Sequence, residues 1–176
     1  MTRLLIPFLL LLVSLTIGSQ GTANAAETID REYELKAAYL YNIFKFITWP
    51  DKGTSAPPLQ LCIIGPDLSN GALLSLDNKP INHSIIKVRQ NVNIADVESC
   101  TALYFTDNKS YDQLEQLANQ GKLLIGEDDN FTAQGGTLTF FIENNRLRFE
   151  FNLIAAQQAG IKISSKLLRL ARIYNN

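Results

Sequence analysis

Short apolar segments alternate with helical ones through the middle of the chain, and this alternation constrains the fold more than any other feature. Ser110–Asn119 carries apolar residues at helical spacing, with Gly121 just past its end. Strands that alternate with helices pair in parallel, because each helix returns the chain to the edge where the previous strand began. We therefore predict a single α/β domain with a mixed, mostly parallel sheet flanked by helices. The predicted strands here are Leu59–Ile64, Ser84–Arg89, Ala102–Thr106 and Lys122–Gly126, and all but the second form the parallel part.

The end of the chain follows a different pattern. Gly136–Glu143 and Arg146–Phe151 are two further strand-like segments, joined only by Asn144-Asn145. Asn tolerates the positive φ that tight hairpin turns require, so we predict an antiparallel hairpin at the edge of the sheet. Beyond it we expect a helix over Leu153–Ala159 capped by Asn152, an extended Ile161–Ile163, and a last helix over Lys166–Tyr174 capped by Ser164 or Ser165.

A long helix precedes the first strand. Asp30 can serve as its N-cap, and the pair Trp49-Pro50 can end it because the residue before proline avoids the helical region. Between them, apolar residues lie on almost every side of the helix. We therefore predict a helix over Asp30–Trp49 that is buried on most of its surface.

The first 25 residues have the pattern of a secretory signal peptide. Arg3 is followed by the uncharged apolar run Leu4–Ile17 and then by Ala23-Asn24-Ala25, a typical cleavage site. The alternative is a membrane anchor, but the run is shorter than the roughly 20 residues of a span. We predict cleavage after Ala25, export, and a mature domain of residues 26–176 with no membrane span.

Export gives meaning to the two cysteines, because disulfides persist in oxidising compartments. Cys62 and Cys100 allow a single intramolecular pairing. The alternative is a pair of buried free thiols. We predict a Cys62–Cys100 disulfide.

Composition and motifs argue against several functional classes. The chain has 16 Lys plus Arg, 17 Asp plus Glu and one His, His83, and it has no basic block of the kind that nucleic-acid binding uses. No phosphate-binding glycine motif and no catalytic constellation is present. The acidic run Glu127–Asp129 lacks the spacing of a calcium loop. We therefore expect no enzyme activity, no cofactor and no metal.

Several blocks of sequence resemble one family of bacterial periplasmic proteins, the YfiR family. The opening block Lys36–Pro50, KAAYLYNIFKFITWP, is the most specific of them. The resemblance extends from about Glu34 to Ile173. Its further blocks are Cys100–Tyr104, Leu124–Glu127 with Phe131 and Gly135-Gly136, Arg148–Asn152 and Ala159–Ala171.

The resemblance implies a regulatory function. YfiR-type proteins bind the periplasmic sensor domain of an inner-membrane diguanylate cyclase, which lowers cyclic di-GMP and restrains biofilm formation. An outer-membrane lipoprotein can sequester the repressor and release the cyclase. The family's characterised member forms dimers and has two disulfides, whereas this chain has cysteines for one. The resemblance therefore implies a periplasmic repressor that acts by protein–protein interaction and forms a homodimer.

Two functional classes are open at this point. The first is the protein-binding regulator, for which we expect partner contacts near the carboxyl terminus. The second is a periplasmic small-ligand sensor, with its pocket at the carboxyl ends of the parallel strands. The expected partner-binding residues are Glu150, Ile161, Ile163, Lys166, Arg169 and Arg172.

Overall fold

A computed structural model describes residues 21–50, 57–107 and 111–175. The predicted signal peptide lies mostly outside these residues, as do residues 51–56 and Ser110, the first residue of the predicted helix Ser110–Asn119. The described elements, in chain order, are α1 (Gly21–Lys45), β1 (Ile47–Thr48), β2 (Leu59–Ile64), a 3₁₀ turn (Leu73–Leu76), β3 (Pro80–Ile81), β4 (Ser84–Arg89), a 3₁₀ turn (Ile94–Asp96), β5 (Ala102–Phe105), a 3₁₀ turn (Tyr111–Gln113), α2 (Leu114–Asn119), β6 (Leu123–Gly126), β7 (Leu138–Glu143), β8 (Arg146–Phe151), α3 (Leu153–Gln158), β9 (Lys162–Ile163), α4 (Ser165–Leu168) and β10 (Arg172–Ile173).

Eight of the strands form one mixed sheet in the order β10-β8-β7-β6-β5-β2-β4-β3. The run β4-β2-β5-β6-β7 is parallel throughout, as predicted for β2, β5 and β6, and β4 and β7 extend it on either side. β7 and β8 form the predicted antiparallel hairpin, and both turn residues, Asn144 and Asn145, have positive φ, at 50° and 57°. The predicted fold class is confirmed.

Both faces of the central sheet are buried, which explains why its strands are apolar without interruption. In β2, Leu61 and Ile63 face a core formed with α1, and Cys62 and Ile64 face a second core formed with α2. Alternate side chains of a strand point to opposite faces, so one strand contributes to both cores. Tyr104 of β5 lies on the α1 side, which places its hydroxyl near the helix.

The long helix differs from its prediction at both ends. It begins at Gly21, so Asp30 lies inside the helix rather than at its cap. It ends at Lys45, because Ile47 and Thr48 pair with β9 as a small antiparallel sheet. The pairing takes the chain out of the helix before Pro50 can end it. Among the described helices, none has the length and apolar content that crossing a membrane requires.

The last helix is much shorter than predicted. Ser164 is its N-cap, with a side chain that accepts a hydrogen bond from the Leu167 amide, but α4 ends at Leu168. Arg172 and Ile173 leave the helical path and pair in parallel with β8. Arg172 and Ile173 gain backbone hydrogen bonds to the edge of β8 that they could not form if the helix continued. The predicted helix over Lys166–Tyr174 is therefore wrong beyond Leu168, since Arg169 lies just after α4 and Arg172 lies in β10.

Candidate functional site

Glu127 follows β6 directly, and its carboxylate joins the sheet to α1. One carboxylate oxygen accepts hydrogen bonds from Lys36 Nζ at 2.7 Å and from the Tyr33 hydroxyl at 3.1 Å. The other accepts a hydrogen bond from the Tyr104 hydroxyl. Lys36 is only 3% exposed and also pairs with Glu32 at 2.6 Å. We refer to Tyr33, Lys36, Tyr104 and Glu127 as the Glu127 cluster.

The two tyrosines of this cluster are held in their neutral form. Burial raises the pKa of Tyr104 well above its usual value, and the neighbouring charge of Glu127 raises it further. The pKa of Tyr33 is raised by the same two causes in the same order. Both hydroxyls therefore remain hydrogen-bond donors to the Glu127 carboxylate at neutral pH.

The order in which strands are added to the sheet reverses at β2, because β4 pairs on one side of it and β5 on the other. α/β sheets usually bind ligands at such a point, which here lies between β2 and β5. Here the protein's own groups fill that position. Thr106 Oγ1 donates to the carbonyl oxygens of Ile64 at 3.0 Å and Pro66 at 2.8 Å, and a Cβ at Gly65 would lie 2.6 Å from it. Within the described chain, no buried side-chain nitrogen or oxygen lacks a hydrogen-bond partner.

Asp67 follows the same edge and is fixed by its neighbours. Its carboxylate accepts bonds from the Ser69 hydroxyl at 2.6 Å and from Gln90 Nε2 at 2.6 Å. Burial acts to raise the pKa of Asp67, but the hydrogen bonds from Ser69 and Gln90 outweigh it and lower the pKa below its usual value. The carboxylate is therefore a fixed structural anion at this turn.

A groove opens on the surface between α3, β9 and α4, and we call it the C-terminal groove. Its volume is about 230 Å³. Leu153 on its wall is 39% exposed, and Ile163 and Leu168 are partly buried. The groove is lined by Leu153, Ala156, Gln157, Gly160, Ile161, Lys162, Ile163 and Leu168.

Hydrogen bonds hold the walls of this groove in place. The Asn152 side chain caps α3 by accepting bonds from the amides of Ile154 and Ala155, and its Nδ2 donates to Thr132 O at 2.8 Å. The Ser164 amide donates to Phe46 O at 3.0 Å, which ties the floor of the groove to the end of α1. The walls are therefore preformed, which lowers the entropy lost when a partner binds.

The predicted contact residues have different positions in the structure. Glu150 is 6% exposed and bonded to Thr132 Oγ1 and Arg172 Nε. Ile161 is 5% exposed and belongs to the α1 core. The expectation that these two side chains lie open to a partner is wrong, because Thr132 and Arg172 bond Glu150 and the α1 core buries Ile161.

The other predicted residues are accessible. Ile163 lines the C-terminal groove, and Lys166 and Arg169 are exposed beside it on and just after α4. Arg172 is exposed along one side, but its guanidinium lies over the Phe141 ring, 3.8 Å from the centroid. A contact role for these four residues remains a prediction.

Cys62 and Cys100 form a disulfide, with their Cα atoms 5.9 Å apart. Cys62 lies in β2 and Cys100 precedes β5, its parallel neighbour. Lys122 supports the same segment, since its buried ammonium group donates to the carbonyl oxygens of Val97, Glu98 and Cys100. The pairing deduced from the cysteine count and from export therefore agrees with the strand order.

Sequence reasoning missed two parts of this geometry. The sequence pattern does not predict the pair of Lys36 and Glu127, because 91 residues separate them in the chain and Glu127 stands out only as part of an acidic run. Leu153 and Leu168, which both line the groove, fall in predicted helices, and the sequence pattern predicts no surface between those helices. One signal was available for the first pair: Lys36 is a cation on a helix predicted to be buried, and Glu127 is an anion at the end of a predicted strand, so each needs a counter-charge.

Fold and surface together define a class: an α/β protein with one large mixed sheet that presents a preformed apolar groove near its carboxyl terminus. A family model described as YfiR/HmsC-like matches residues 33–172. The chain belongs to this YfiR/HmsC-like family, as its sequence blocks predict.

Two solved structures share the fold at low sequence identity. One is a conserved domain protein from Vibrio cholerae O1 biovar El Tor, with 12% identity and a TM-score of 0.50 over 81% of this chain and 60% of that chain. The other is an ABC domain from Streptococcus pneumonia in complex with L-Trp, with 9% identity and a TM-score of 0.51 over 81% of this chain and 62% of that chain. This chain spans about 60% of the length of each.

Proposed function

We propose that the protein is a periplasmic negative regulator that binds the periplasmic sensor domain of an inner-membrane diguanylate cyclase. Binding holds the cyclase in its inactive state, which lowers cyclic di-GMP and restrains biofilm formation. The observation that carries the proposal is membership of the YfiR/HmsC-like family over residues 33–172. The predicted signal peptide over residues 1–25 would deliver the protein to the compartment where such a sensor domain lies.

Repression of this kind requires a surface and no chemistry. A repressor shifts its partner's equilibrium by its difference in affinity for the active and inactive states, and a bias of about 3 kcal/mol changes that equilibrium by more than a hundredfold. The C-terminal groove has the features of such a surface, because it is concave, apolar and built from hydrogen-bonded elements. We assign the cyclase contact to this groove, with Ile163 in its lining and Lys166 and Arg169 beside it.

Two further interactions belong to the same proposal. An outer-membrane lipoprotein would release the cyclase by sequestering this protein, and the protein itself would form a homodimer. Both follow from the family's regulatory system. A lipoprotein that competes for the C-terminal groove would relieve repression by simple mass action.

The proposal is favoured over a small-ligand sensor by the state of the expected ligand position. That position lies between β2 and β5, where Thr106 and Asp67 are already hydrogen-bonded within the protein. The ABC domain solved with L-Trp shares the fold, but its 9% identity shows the fold alone. The small-ligand sensor therefore remains the alternative.

The decisive experiment is genetic. Deletion of the gene is expected to raise cyclic di-GMP, and the rise is expected to vanish when the gene for the partner cyclase is deleted as well. Complementation with the unaltered gene is the control for the single mutant. An unchanged cyclic di-GMP level in the single mutant, with the cyclase expressed, would contradict the proposal and favour the small-ligand alternative.

A further inference from the structure

Charge is distributed very unevenly along this chain. Residues 144–176 contain six of the 16 basic residues and one of the 17 acidic ones, so this segment carries +5 while the remainder carries −6. The single acid, Glu150, is buried and paired with Arg172. The surface around the carboxyl terminus is therefore basic on a chain whose net charge is −1.

The basic groups border the C-terminal groove. Lys162 lines it, and Lys166 and Arg169 are exposed on and just after the helix that forms one wall. Residues 153–171 contain no Asp or Glu. In the part of the chain that the structure describes, no carboxylate pairs with any of these three cations. Leu170, at 70% exposed, is the most exposed large apolar residue in the same part.

We infer that the C-terminal groove binds an acidic, amphipathic segment of its protein partner. Apolar side chains of that segment would fill the groove against Leu153, Ile163 and Leu168, and its carboxylates would pair with the flanking cations. This inference rests on the proposed function and specifies the chemistry of the contact. It requires that the cyclase's sensor domain present carboxylates beside exposed apolar side chains.

The shape of the surface favours a protein segment over a lipid surface. Side chains of a peptide can insert into a concave groove of about 230 Å³, whereas a bilayer presents a broad interface that suits a convex apolar face. The cations stand beside the groove rather than across a flat face, so they match charges on the flanks of one inserted segment. Electrostatic matching of this kind raises the association rate and selects the partner.

The test measures the affinity of the mature protein for the purified periplasmic domain of its cyclase. We expect the double variant Lys166→Glu/Arg169→Glu to raise Kd by about tenfold or more. The neutral variant Lys166→Gln/Arg169→Gln is expected to lie between it and the unaltered protein. Binding of the unaltered protein is expected to weaken when salt rises from about 0.05 M to about 0.5 M, while that of the reversed variant changes little.

The matched control is Arg31→Glu/Arg89→Glu, which reverses two exposed charges outside the basic segment and is expected to keep its affinity. Circular dichroism melting checks that all variants fold. If the unaltered protein does not bind the cyclase domain, the proposed function and this inference both fail. If it binds and the Lys166→Glu/Arg169→Glu variant binds equally well, this inference alone fails.

Two parallel measurements separate other occupants of the groove. One is binding to vesicles containing phosphatidylglycerol, and the other is the oligomeric state by analytical ultracentrifugation. Loss of vesicle binding in the reversed variant, with cyclase affinity unchanged, would replace the acidic segment by an anionic membrane. If the reversed variant loses a dimer that the unaltered protein forms, with cyclase affinity unchanged, the occupant of the groove would be a second copy of this chain and not an acidic segment.

Discussion

At the scale of single residues, buried polar side chains join elements that lie far apart in the chain. Lys36 on α1 and Glu127 after β6 form one such pair, and Glu150 with Arg172 forms another. Thr132 contacts the second pair through its hydroxyl. The two most buried charges, Lys36 and Glu150, each have a counter-charge and a second polar partner, and this is the condition under which burial of a charge is tolerated.

Glu127→Gln tests the first pair. The substitution removes the main counter-charge of Lys36, whose ammonium group is almost fully buried, and leaves it with the partly exposed Glu32. We expect the free energy of unfolding to fall by about 1–3 kcal/mol in urea denaturation. Glu115→Gln, on the exposed face of α2, is the control and is expected to change stability by less than about 0.5 kcal/mol. Equal effects of the two substitutions would contradict this role for Glu127.

At the scale of elements, α1 is held against the sheet by groups that must keep their protons. The folded-state pKa values of Tyr33 and Tyr104 are raised above the usual value of 10, so folding favours the protonated forms. This contribution is fully present below about pH 10 and is lost as the pH rises above that value, because the unfolded chain releases these protons first. Tyr111, beside Phe131, behaves in the same way, with burial raising its pKa to about 12.

Stability is therefore expected to decline above about pH 10, measured as the urea midpoint at a series of alkaline pH values. Tyrosinate absorbance of the folded protein should remain below that of the unfolded protein in this range. The variant Tyr33→Phe/Tyr104→Phe removes both titrations and is expected to reduce the slope. If stability falls as steeply with pH in this variant as in the unaltered protein, groups other than Tyr33 and Tyr104 cause the fall.

The disulfide is the second link between elements. It closes β2 onto the segment before β5, which Lys122 also holds through three carbonyl oxygens. Replacing Cys62 and Cys100 by Ser is expected to lower stability by about 2–4 kcal/mol. The lower part of this range would show that the Lys122 contacts keep the segment in place without the bond.

Thiol titration supplies the direct measurement. Protein purified from the periplasm without reductant should have no free thiol under denaturing conditions. The same protein after reduction is the positive control and should show two. Two reactive thiols before reduction would refute the bond in the exported protein.

At the scale of the whole molecule, one sheet connects two cores. β2, β5 and β6 contribute alternate residues to each, so neither core can be lost while the other keeps its strands. We expect a single cooperative unfolding transition. Fluorescence of Trp49, which contacts Phe44 in the α1 core, should therefore coincide with far-ultraviolet circular dichroism during denaturation. Separate midpoints would indicate two independently folding units.

Local patterns in the sequence determined much of this fold. The parallel strands follow from apolar runs buried on both faces, and the hairpin turn follows from two Asn residues that accept positive φ. The cap Asn152 was predictable because a cap acts within three residues, whereas the last cap was narrowed only to Ser164 or Ser165. The pairing of Cys62 with Cys100 was readable because the chain offers no other pair.

Only the tertiary structure decided the features that depend on distant partners. Lys45 ends α1 because β9 pairs with Ile47 and Thr48, and α4 is short because Arg172 and Ile173 pair with the edge of β8. Glu150 alternates with arginines as a surface residue would, yet Thr132 and Arg172 draw it inside. Residue periodicity reports which side of an element is apolar, whereas the C-terminal groove arises from where three elements meet, and that depends on contacts between residues far apart in the chain.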